Sequence, residues 1–323
     1  MLILDAAAVS RALPMAECIS AMERALAGFS DGTYWQPPRQ QLRPEGGSSV
    51  MGMMPAYRVG AKPLWGFKHI IVAPDNHRRG LSSHQGAVLL NDGETGELLA
   101  LVDATTLTAL RTAAVSAVAT RTLARPDAAR VAIIGTGAQA RSHVEAMRLV
   151  LPDAYITIAG RSAEKSQHLA QDLNVEAASS IYAAVIQADV ICTTTASRTP
   201  IVRHEWVRPG CHVNVVGSSD PAAREIDGAL VGASEFFIDS HAQMQVECGE
   251  YLLAIEEGSL DPNTPCTELG DVLVGRCPGR SAAEAITVFK SLGLAVEDLV
   301  AAEVAVHRAR EMLDGVEVDW ARR

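Results

Sequence analysis

The spacing of apolar residues changes character about a third of the way along the chain. Before residue 118, an amphipathic helix pattern at 14–29 is followed by strand-like runs at 49–54, 64–72 and 86–91. The turn DGETGE at 92–97 separates the last run from LLALVDA, a spacing typical of a β-hairpin. We therefore predict a mixed sheet with covering helices in this part of the chain.

From about residue 119, short apolar runs alternate with longer helical segments. The apolar runs lie at 131–135, 155–160, 189–194, 212–217 and 235–239. This alternation predicts a parallel sheet wound by helices, and the continuous apolar runs are typical of strands buried on both faces. After Asp239 the pattern predicts helices, the last of which, over 295–313, is a candidate to return to the N-terminal half.

A glycine-containing turn, GTGAQA, joins the first of these parallel strands to an amphipathic helix. Gly135 permits a tight turn, Gly137 lets the backbone approach a pyrophosphate, and Ala140 keeps the helix close to the strand. The N–H groups at the helix start, from Ala138 and Gln139 onwards, favour negative charge. The turn thus predicts a dinucleotide site, with a plain tight turn in an α/β domain as the alternative.

The end of the second parallel strand indicates which dinucleotide is preferred. NAD-binding folds usually place a carboxylate there against the ribose 2′-hydroxyl, whereas this strand ends with Gly160, Arg161 and Ser162. A guanidinium and a hydroxyl suit a 2′-phosphate. We therefore expect NADPH (NADP) to be preferred, with NADH possible, unless Arg161 is only a solvated residue at the helix entry.

Composition excludes several other functions. The net charge is −10 and the basic residues are scattered, so we expect no nucleic-acid partner. The sequence has no apolar stretch of about 18 residues and no signal-peptide pattern, so we expect no membrane association and a cytoplasmic location. Its six cysteines form no CxxC pair, so we expect reduced thiols and no metal site.

Longer motifs, spread over most of the chain, resemble the ornithine cyclodeaminase and mu-crystallin family. The segments are QPPR at 36–39, MMPAY at 53–57, FK at 67–68, SSHQGAVLLND at 82–92, LTALRTAAVSAVAT at 107–120, GTGAQARSH at 135–143 and VFKSLGLAVEDLVAA at 288–302. The resemblance implies transfer of hydride between a nicotinamide and the carbon of a C=N or C–N bond next to a carboxylate. It also implies an N-terminal domain that holds the substrate and forms a homodimer.

Pattern and resemblance together predict the fold class and its domains. The class is α/β, with a Rossmann-type doubly wound parallel sheet at 119–299. This sheet is inserted in an α+β substrate-binding and dimerisation domain formed by 1–118 plus 300–323.

The resemblance also implies a cluster of basic residues that binds the substrate carboxylate. Arg39, Lys68 and Arg111 match it, and Arg43 competes with Arg39 for the outer position. A guanidinium fork suits a carboxylate, and Lys68 lies in an apolar run, LWGFKHIIV, where a purely structural lysine is unexpected. The structural alternatives are a snorkelling Lys68 and an Arg111 that opens a helix and serves as a cap or in an ion pair.

Other positions match residues near the cofactor in the family. They are Ser83, His84, Arg111, Thr112, Gln139, Thr195, Ser291 and Leu292. His84 is also a candidate for proton transfer, although a lone histidine is more often structural. The proton for the imine has three candidate sources, which are solvent, Lys68, or water near His84 and Ser219.

Two departures distinguish this chain from ornithine cyclodeaminases. Members of that branch resemble one another in a Glu three residues before the proline of MMP and in an Asp six residues before a later Glu. Here those positions hold Gly52 and Ser219. Without these carboxylates the pocket is poorly equipped for the side-chain amine of ornithine, although Asp220 is adjacent and could restore one.

We therefore expect NADPH-dependent reduction of a ketimine carboxylate, preferably a cyclic one such as 1-pyrroline-2-carboxylate or 1-piperideine-2-carboxylate. Under this hypothesis the catalytic candidates are Lys68, Arg111, His84, Ser219 and Asp220. The alternatives are an ornithine or lysine cyclodeaminase, an alanine dehydrogenase, and a non-catalytic protein that binds NADPH and a small molecule.

Overall fold

A computed structural model describes residues 1–320 and divides them into two compact units. Met1–Arg111 with the described part of Gly293–Arg323 forms the first unit, and Thr112–Leu292 forms the second. The domain boundaries predicted from the sequence lie at 118/119 and 299/300. The predicted C-terminal segment, 300–323, includes residues 321–323, which lie outside the described residues. Residue 111 lies inside one continuous helix, Ala104–Leu123, so the apolar pattern has no break to mark the boundary there.

The secondary-structure elements are numbered in chain order. The strands are β1 (Leu2–Leu4), β2 (Tyr34–Trp35), β3 (Gln40–Leu42), β4 (Val50–Arg58), β5 (Leu64–Val72), β6 (His84–Asp92), β7 (Leu98–Asp103), β8 (Arg130–Ile134), β9 (Tyr155–Ala159), β10 (Glu176–Ala177), β11 (Val190–Thr193), β12 (His212–Val215), β13 (Glu235–Ile238), β14 (Thr267–Glu268), β15 (Thr287–Lys290) and β16 (Val316–Glu317). The α-helices are α1 (Ala6–Ala12), α2 (Met15–Asp31), α3 (Ala104–Leu123), α4 (Ala138–Val150), α5 (Ala163–Leu173), α6 (Ile181–Val185), α7 (Gly228–Gly232), α8 (His241–Glu247), α9 (Gly249–Glu256), α10 (Leu269–Leu273) and α11 (Ala295–Met312). Within residues 1–320 no helix combines the length and apolar character needed to cross a membrane.

The first unit is built on a mixed sheet with the order β16-β1-β7-β6-β5-β4-β2, and β3 also pairs with β4. Its pairs are antiparallel except for β1 with β7, which is parallel. The expected hairpin is confirmed as β6 and β7, joined by a turn in which Asp92 Oδ1 accepts from the backbone N–H groups of Glu94 and Thr95. The mixed sheet predicted for this part of the chain is therefore present.

Helix α11 covers one face of this sheet. Alternate residues of β5 are buried on that face, namely Leu64, Gly66, Lys68 and Ile70. Gly66 allows the close approach, because a Cβ there would lie 2.7 Å from Cβ of Leu299 in α11. Lys68 consequently lies in the interface between sheet and helix, with a side chain that is 3% exposed.

The second unit is a Rossmann-type parallel sheet, as expected. Its order is β10-β9-β8-β11-β12-β15-β13-β14, and all of its paired strands are parallel. The strand order reverses between β8 and β11, which makes the carboxyl ends of these two strands the switch point of the sheet. In open sheets of this kind ligands bind at that place.

Two strands of the second unit, β14 and β15, contradict the sequence prediction. The chain after Asp239 was predicted to be helical, but Thr287–Lys290 forms the strand β15, which lies between β12 and β13. β15 ends in the charged Lys290, whereas the equally short β11, β12 and β13 end in uncharged residues, so its apolar run does not stand out from the helices around it. Thr, Val and Phe, which favour strands, are the signal that could have identified it.

Candidate functional site

The glycine turn has the geometry that a diphosphate needs. Strand β8 ends at Ile134 and α4 begins at Ala138, so the turn lies at the switch point. Gly135 has φ +141°, and a Cβ there would collide with the hydroxyl and carbonyl oxygens of Thr194 after β11. A Cβ on Gly137, which caps α4 without a side-chain hydrogen bond, would meet no described atom within 4 Å. The start of α4 is therefore open to an anion, and the residues present fit a dinucleotide.

The residues expected to read the ribose lie at the end of β9. Arg161 is exposed, and Gly160 follows the last residue of the strand. The Ser162 hydroxyl has a role that the sequence did not assign, because it caps α5 by accepting a hydrogen bond from Lys165 N at 3.3 Å. A hydroxyl that accepts this bond keeps its own proton to donate, so Ser162 remains available to a phosphate.

A buried cluster of ionic residues forms in the first unit around Lys68 and Arg111. Two carboxylates from the first turn of α11, Glu297 and Asp298, hold these cations, and we call them the acidic pair. Lys68 Nζ lies 2.6 Å from Asp298 Oδ2. Arg111 donates from Nε to Asp298 Oδ1 at 3.1 Å and from Nη1 to Glu297 Oε2 at 2.7 Å. Asp298 therefore fixes both cations with its two oxygens.

Arg39 joins this cluster through the backbone of Gly293. Its Nη2 donates to the Gly293 carbonyl at 3.1 Å. Gly293 has φ +84°, and a Cβ there would lie 2.8 Å from Nη1 of Arg111, so only glycine leaves room for the guanidinium. Arg43 is exposed and donates to Gln41 Oε1 instead. Of the two competing arginines, the structure brings Arg39 to the cluster.

The expectation that Arg111 opens a helix is wrong. Arg111 lies in the interior of α3, which begins at Ala104. The structural alternative considered for it, an ion pair, is present, and its role toward a substrate stays a prediction. Sequence reasoning missed the acidic pair, although two adjacent carboxylates followed by the apolar run LVAA were a signal of buried charge that needs cations nearby.

The electrostatics of the cluster lower the pKa of two groups. Burial lowers the pKa of Lys68 to about 8, although the neighbouring Asp298 carboxylate raises it, and the charge of Arg111 lowers it further. Desolvation, followed by the positive charges of Lys68 and Arg111, also lowers the pKa of His84. Both effects favour the neutral form of the His84 ring, and its Nδ1 lies 3.0 Å from the Ser83 hydroxyl.

The loops after β11 and β12 hold several of the remaining predicted residues. Thr195 N and Oγ1 both donate to Glu225 at 2.7 Å. Asp220, the last catalytic candidate, forms an ion pair with Arg198 at 3.0 Å and accepts from Ala222 N. Ser219 is half-buried beside it. The Asp220 carboxylate is thus already engaged with a cation of its own unit.

The other residues assigned to the cofactor are backbone and packing positions of the second unit. Thr112 and Ala140 are buried, Gln139 is half-buried in the first turn of α4, Ser291 N donates to Val215 O, and Leu292 N donates to Asp239 Oδ2 at 2.6 Å. Ser291 and Leu292 directly follow β15, and so they lie at the carboxyl edge of the parallel sheet.

The fold and these sites define a class: a Rossmann-type dinucleotide-binding protein whose other unit carries a buried cationic cluster. The model of the ornithine cyclodeaminase/mu-crystallin family matches residues 1–312. The chain therefore belongs to that family, and it is a nicotinamide-dependent oxidoreductase.

Three similar proteins illustrate the relationship. Ketimine reductase mu-crystallin of Mus musculus is 38% identical over 291 residues, which cover 88% of this chain and 90% of that protein. Delta(1)-pyrroline-2-carboxylate reductase of Bacillus thuringiensis subsp. konkukian (strain 97-27) is 35% identical, with 99% and 100% covered. The structure of Thermococcus litoralis Delta(1)-pyrroline-2-carboxylate reductase in complex with NADH and L-proline has a TM-score of 0.93 and 32% identity, with 98% of this chain and 100% of that chain covered.

Proposed function

We propose that the protein reduces a ketimine carboxylate, preferably a cyclic one, to the amino acid with NADPH. The observation that carries this proposal is the buried cluster of the first unit. Arg39, half-buried, joins the buried cations Lys68 and Arg111, so three cationic side chains converge at this place beside the acidic pair. Cations held away from water favour a ligand of opposite charge, and a substrate carboxylate is such a ligand.

The cluster suits a carboxylate by its geometry as well as its charge. The acidic pair holds Arg111 by Nε and Nη1, which fixes the orientation of its planar fork before any ligand arrives. Charge-assisted hydrogen bonds from such a fork are among the strongest available to a carboxylate. Holding the substrate in one orientation removes entropy from the reaction step, which is a large part of the rate that positioning supplies.

The nicotinamide cofactor supplies a hydride to the carbon of the C=N bond. In this proposal the glycine turn and the start of α4 bind its diphosphate, and Arg161 and Ser162 bind the 2′-phosphate of NADPH. Support for an imino acid substrate comes from the names of the similar proteins, which include a ketimine reductase and a pyrroline-2-carboxylate reductase. The Thermococcus litoralis enzyme was solved with NADH, and NADH is the alternative for this chain.

A cyclodeaminase is the second candidate, and two observations count against it. Gly52 lies in β4, where a Cβ would already be 3.0 Å from Cγ2 of Ile70, and it offers no carboxylate for a second ammonium. Asp220, the nearest replacement, is paired with Arg198. We therefore favour the reductase.

We propose a second copy of this chain as the macromolecular partner. Trp65, Phe67 and Ile71 share the face of β5 opposite to Lys68, and their side chains stay partly exposed. The outer residues of the neighbouring β4, among them Met53 and Tyr57, are also partly exposed. A partly exposed apolar sheet face of this kind is typical of a protein interface.

The test of the proposed function follows NADPH and NADH absorbance with pyrroline-2-carboxylate, piperideine-2-carboxylate and pyruvate with ammonia. The reverse direction is assayed with proline, ornithine and alanine. Rapid NADPH oxidation with a cyclic imine supports the proposal. Proline and ammonia formed from ornithine would instead identify a cyclodeaminase, and turnover of alanine alone would identify an amino-acid dehydrogenase.

A further inference from the structure

The carboxylate of Glu225 connects two loops at the carboxyl edge of the parallel sheet. Its Oε1 accepts from Thr195 N and Thr195 Oγ1, which belong to the loop after β11. Its Oε2 accepts from Gly217 N, in the loop after β12, and from Thr193 Oγ1 at the end of β11. All four donor–acceptor distances are 2.7 Å. A carboxylate has about four lone-pair sites, so every site of Glu225 is used.

A buried ion pair between Lys290 and Glu250 lies next to the Glu225 residue in the interior of the unit. Lys290 Nζ lies 3.0 Å from Glu250 Oε2 and donates to Ser218 O at 2.5 Å. Glu250 Oε1 accepts from Glu225 N at 3.0 Å. Both charged side chains have 0% exposure. Because the charges of this network are paired and excluded from water, it restrains both loops.

The loop that Glu225 holds is also the one that contacts the glycine turn. Thr194, directly before Thr195, donates from Oγ1 to Ile134 O at 3.1 Å and packs where a Cβ of Gly135 would lie. Gly217 is equally constrained, because a Cβ there would overlap Thr195 O and the Glu225 carboxyl group. Glu225 therefore fixes, from the interior of the unit, the loops after β11 and β12 that line the crevice at the switch point.

From this geometry we infer that Glu225 is a positioning residue for the nicotinamide dinucleotide, acting through Thr195 and the loops after β11 and β12. The inference rests on the proposed function, since it assigns the crevice to that cofactor. Under this inference, the affinity for the dinucleotide depends on a carboxylate that is buried in the interior of the unit.

The decisive variant is Glu225→Gln. In whichever way the amide is oriented, its NH₂ group replaces one acceptor and faces a backbone N–H, either of Thr195 or of Gly217. The backbone N–H of one loop thereby loses its acceptor. Because each lost bond was charge-assisted, we expect the Kd for NADPH to rise about tenfold or more.

The matched control is Asp189→Asn. Asp189 directly precedes β11 at the opposite, amino edge of the same sheet, and it also accepts four hydrogen bonds, from Ala129 N, Arg130 N, Arg125 and Arg208. This variant should lower the melting temperature and leave the Kd unchanged. A milder second variant, Thr193→Val, removes one hydroxyl donor and keeps both backbone N–H groups.

The experiment titrates NADPH against each full-length variant by nucleotide fluorescence, without imine, and records each melting temperature. A raised Kd in Glu225→Gln, with an unchanged Kd in Asp189→Asn, supports the inference. If Glu225→Gln does not fold, Thr193→Val decides: a raised Kd at the wild-type melting temperature supports the inference, and an unchanged Kd overturns it. Equal loss of affinity in Glu225→Gln and Asp189→Asn shows a general stability effect and overturns it. A wild-type protein that binds neither NADPH nor NADH would overturn the proposed function and this inference together.

Discussion

Arg39 and Arg43 are close in sequence but differ in surroundings. Arg39 bonds to Gly293 beside the buried cluster, whereas Arg43 is exposed and bonds to Gln41. We predict that Arg39→Ala raises the KM for the imino acid about ten- to a hundredfold, because a charge-assisted hydrogen bond to the carboxylate is lost. Steady-state kinetics with a cyclic imine measure this effect. Arg43→Ala is the matched control, and a larger effect in Arg43→Ala than in Arg39→Ala would refute the assignment.

Arg161 provides the test of cofactor preference. It is exposed at the end of β9 next to Ser162, so its removal should leave the fold intact. We predict that Arg161→Ala raises the KM for NADPH about tenfold, since a guanidinium–phosphate contact is lost, and leaves the KM for NADH unchanged. Parallel titrations of both cofactors check the prediction. Equal changes for the two cofactors would mean that Arg161 does not read the 2′-phosphate.

Lys68 and Glu225 show what the sequence could and could not provide. Lys68 was identifiable because a lysine in an apolar strand requires an explanation. Its partners Glu297 and Asp298 lie far away in the chain, and no local pattern connects them to it. The hydrogen bonds of the Glu225 carboxylate could not be predicted for the same reason, since three of the four go to residues about 30 positions away.

At the scale of elements, α11 acts as the support of the cationic cluster. Its first turn supplies the acidic pair, and Asp298 raises the pKa of Lys68 against the effect of burial. Lys68 titrates at about 8, so kcat/KM of the wild type should fall as the pH rises through that value, because neutral Lys68 no longer attracts a carboxylate.

We predict that Asp298→Asn moves this alkaline limb to lower pH. Removing the carboxylate takes away an effect that raises the pKa of Lys68, so the lysine loses its proton earlier. The pH profile of kcat/KM with one imine measures the shift. Glu303→Gln is the control, because Glu303 lies on the same helix and pairs with Arg58 away from Lys68. A limb that stays in place in Asp298→Asn would show that Lys68 does not control it.

Elements differed in how well the sequence predicted them. β5 was predicted with its observed bounds, Leu64–Val72, since a long apolar run with flanking turns is a strong signal. β15 was missed because its apolar run ends in the charged Lys290, unlike the runs of the equally short β11, β12 and β13. The boundary inside α3 had no sequence signal at all, since the helix continues through it.

At the scale of the whole molecule, the proposed dimer gives a further prediction. We expect the protein to sediment as a dimer and Phe67→Glu to sediment as a monomer, because the charge would lie on the apolar face of β5. Sedimentation velocity measures both. Leu149→Glu is the control, since Leu149 is 49% exposed on α4 of the second unit and should not affect assembly. A dimer that survives Phe67→Glu would place the interface elsewhere.

The position of β15 affects the order in which a chain emerging from the ribosome can complete its second sheet. Strands β8 to β12 can pair as they are made, but β13 has no place beside β12. It must wait for Thr287–Lys290, which later fills the gap between them. A nascent chain halted before Thr287 therefore exposes the edge of β12 and the apolar residues of β13, and both are hazards for aggregation. Release of Lys290 from the exit tunnel removes both hazards at once.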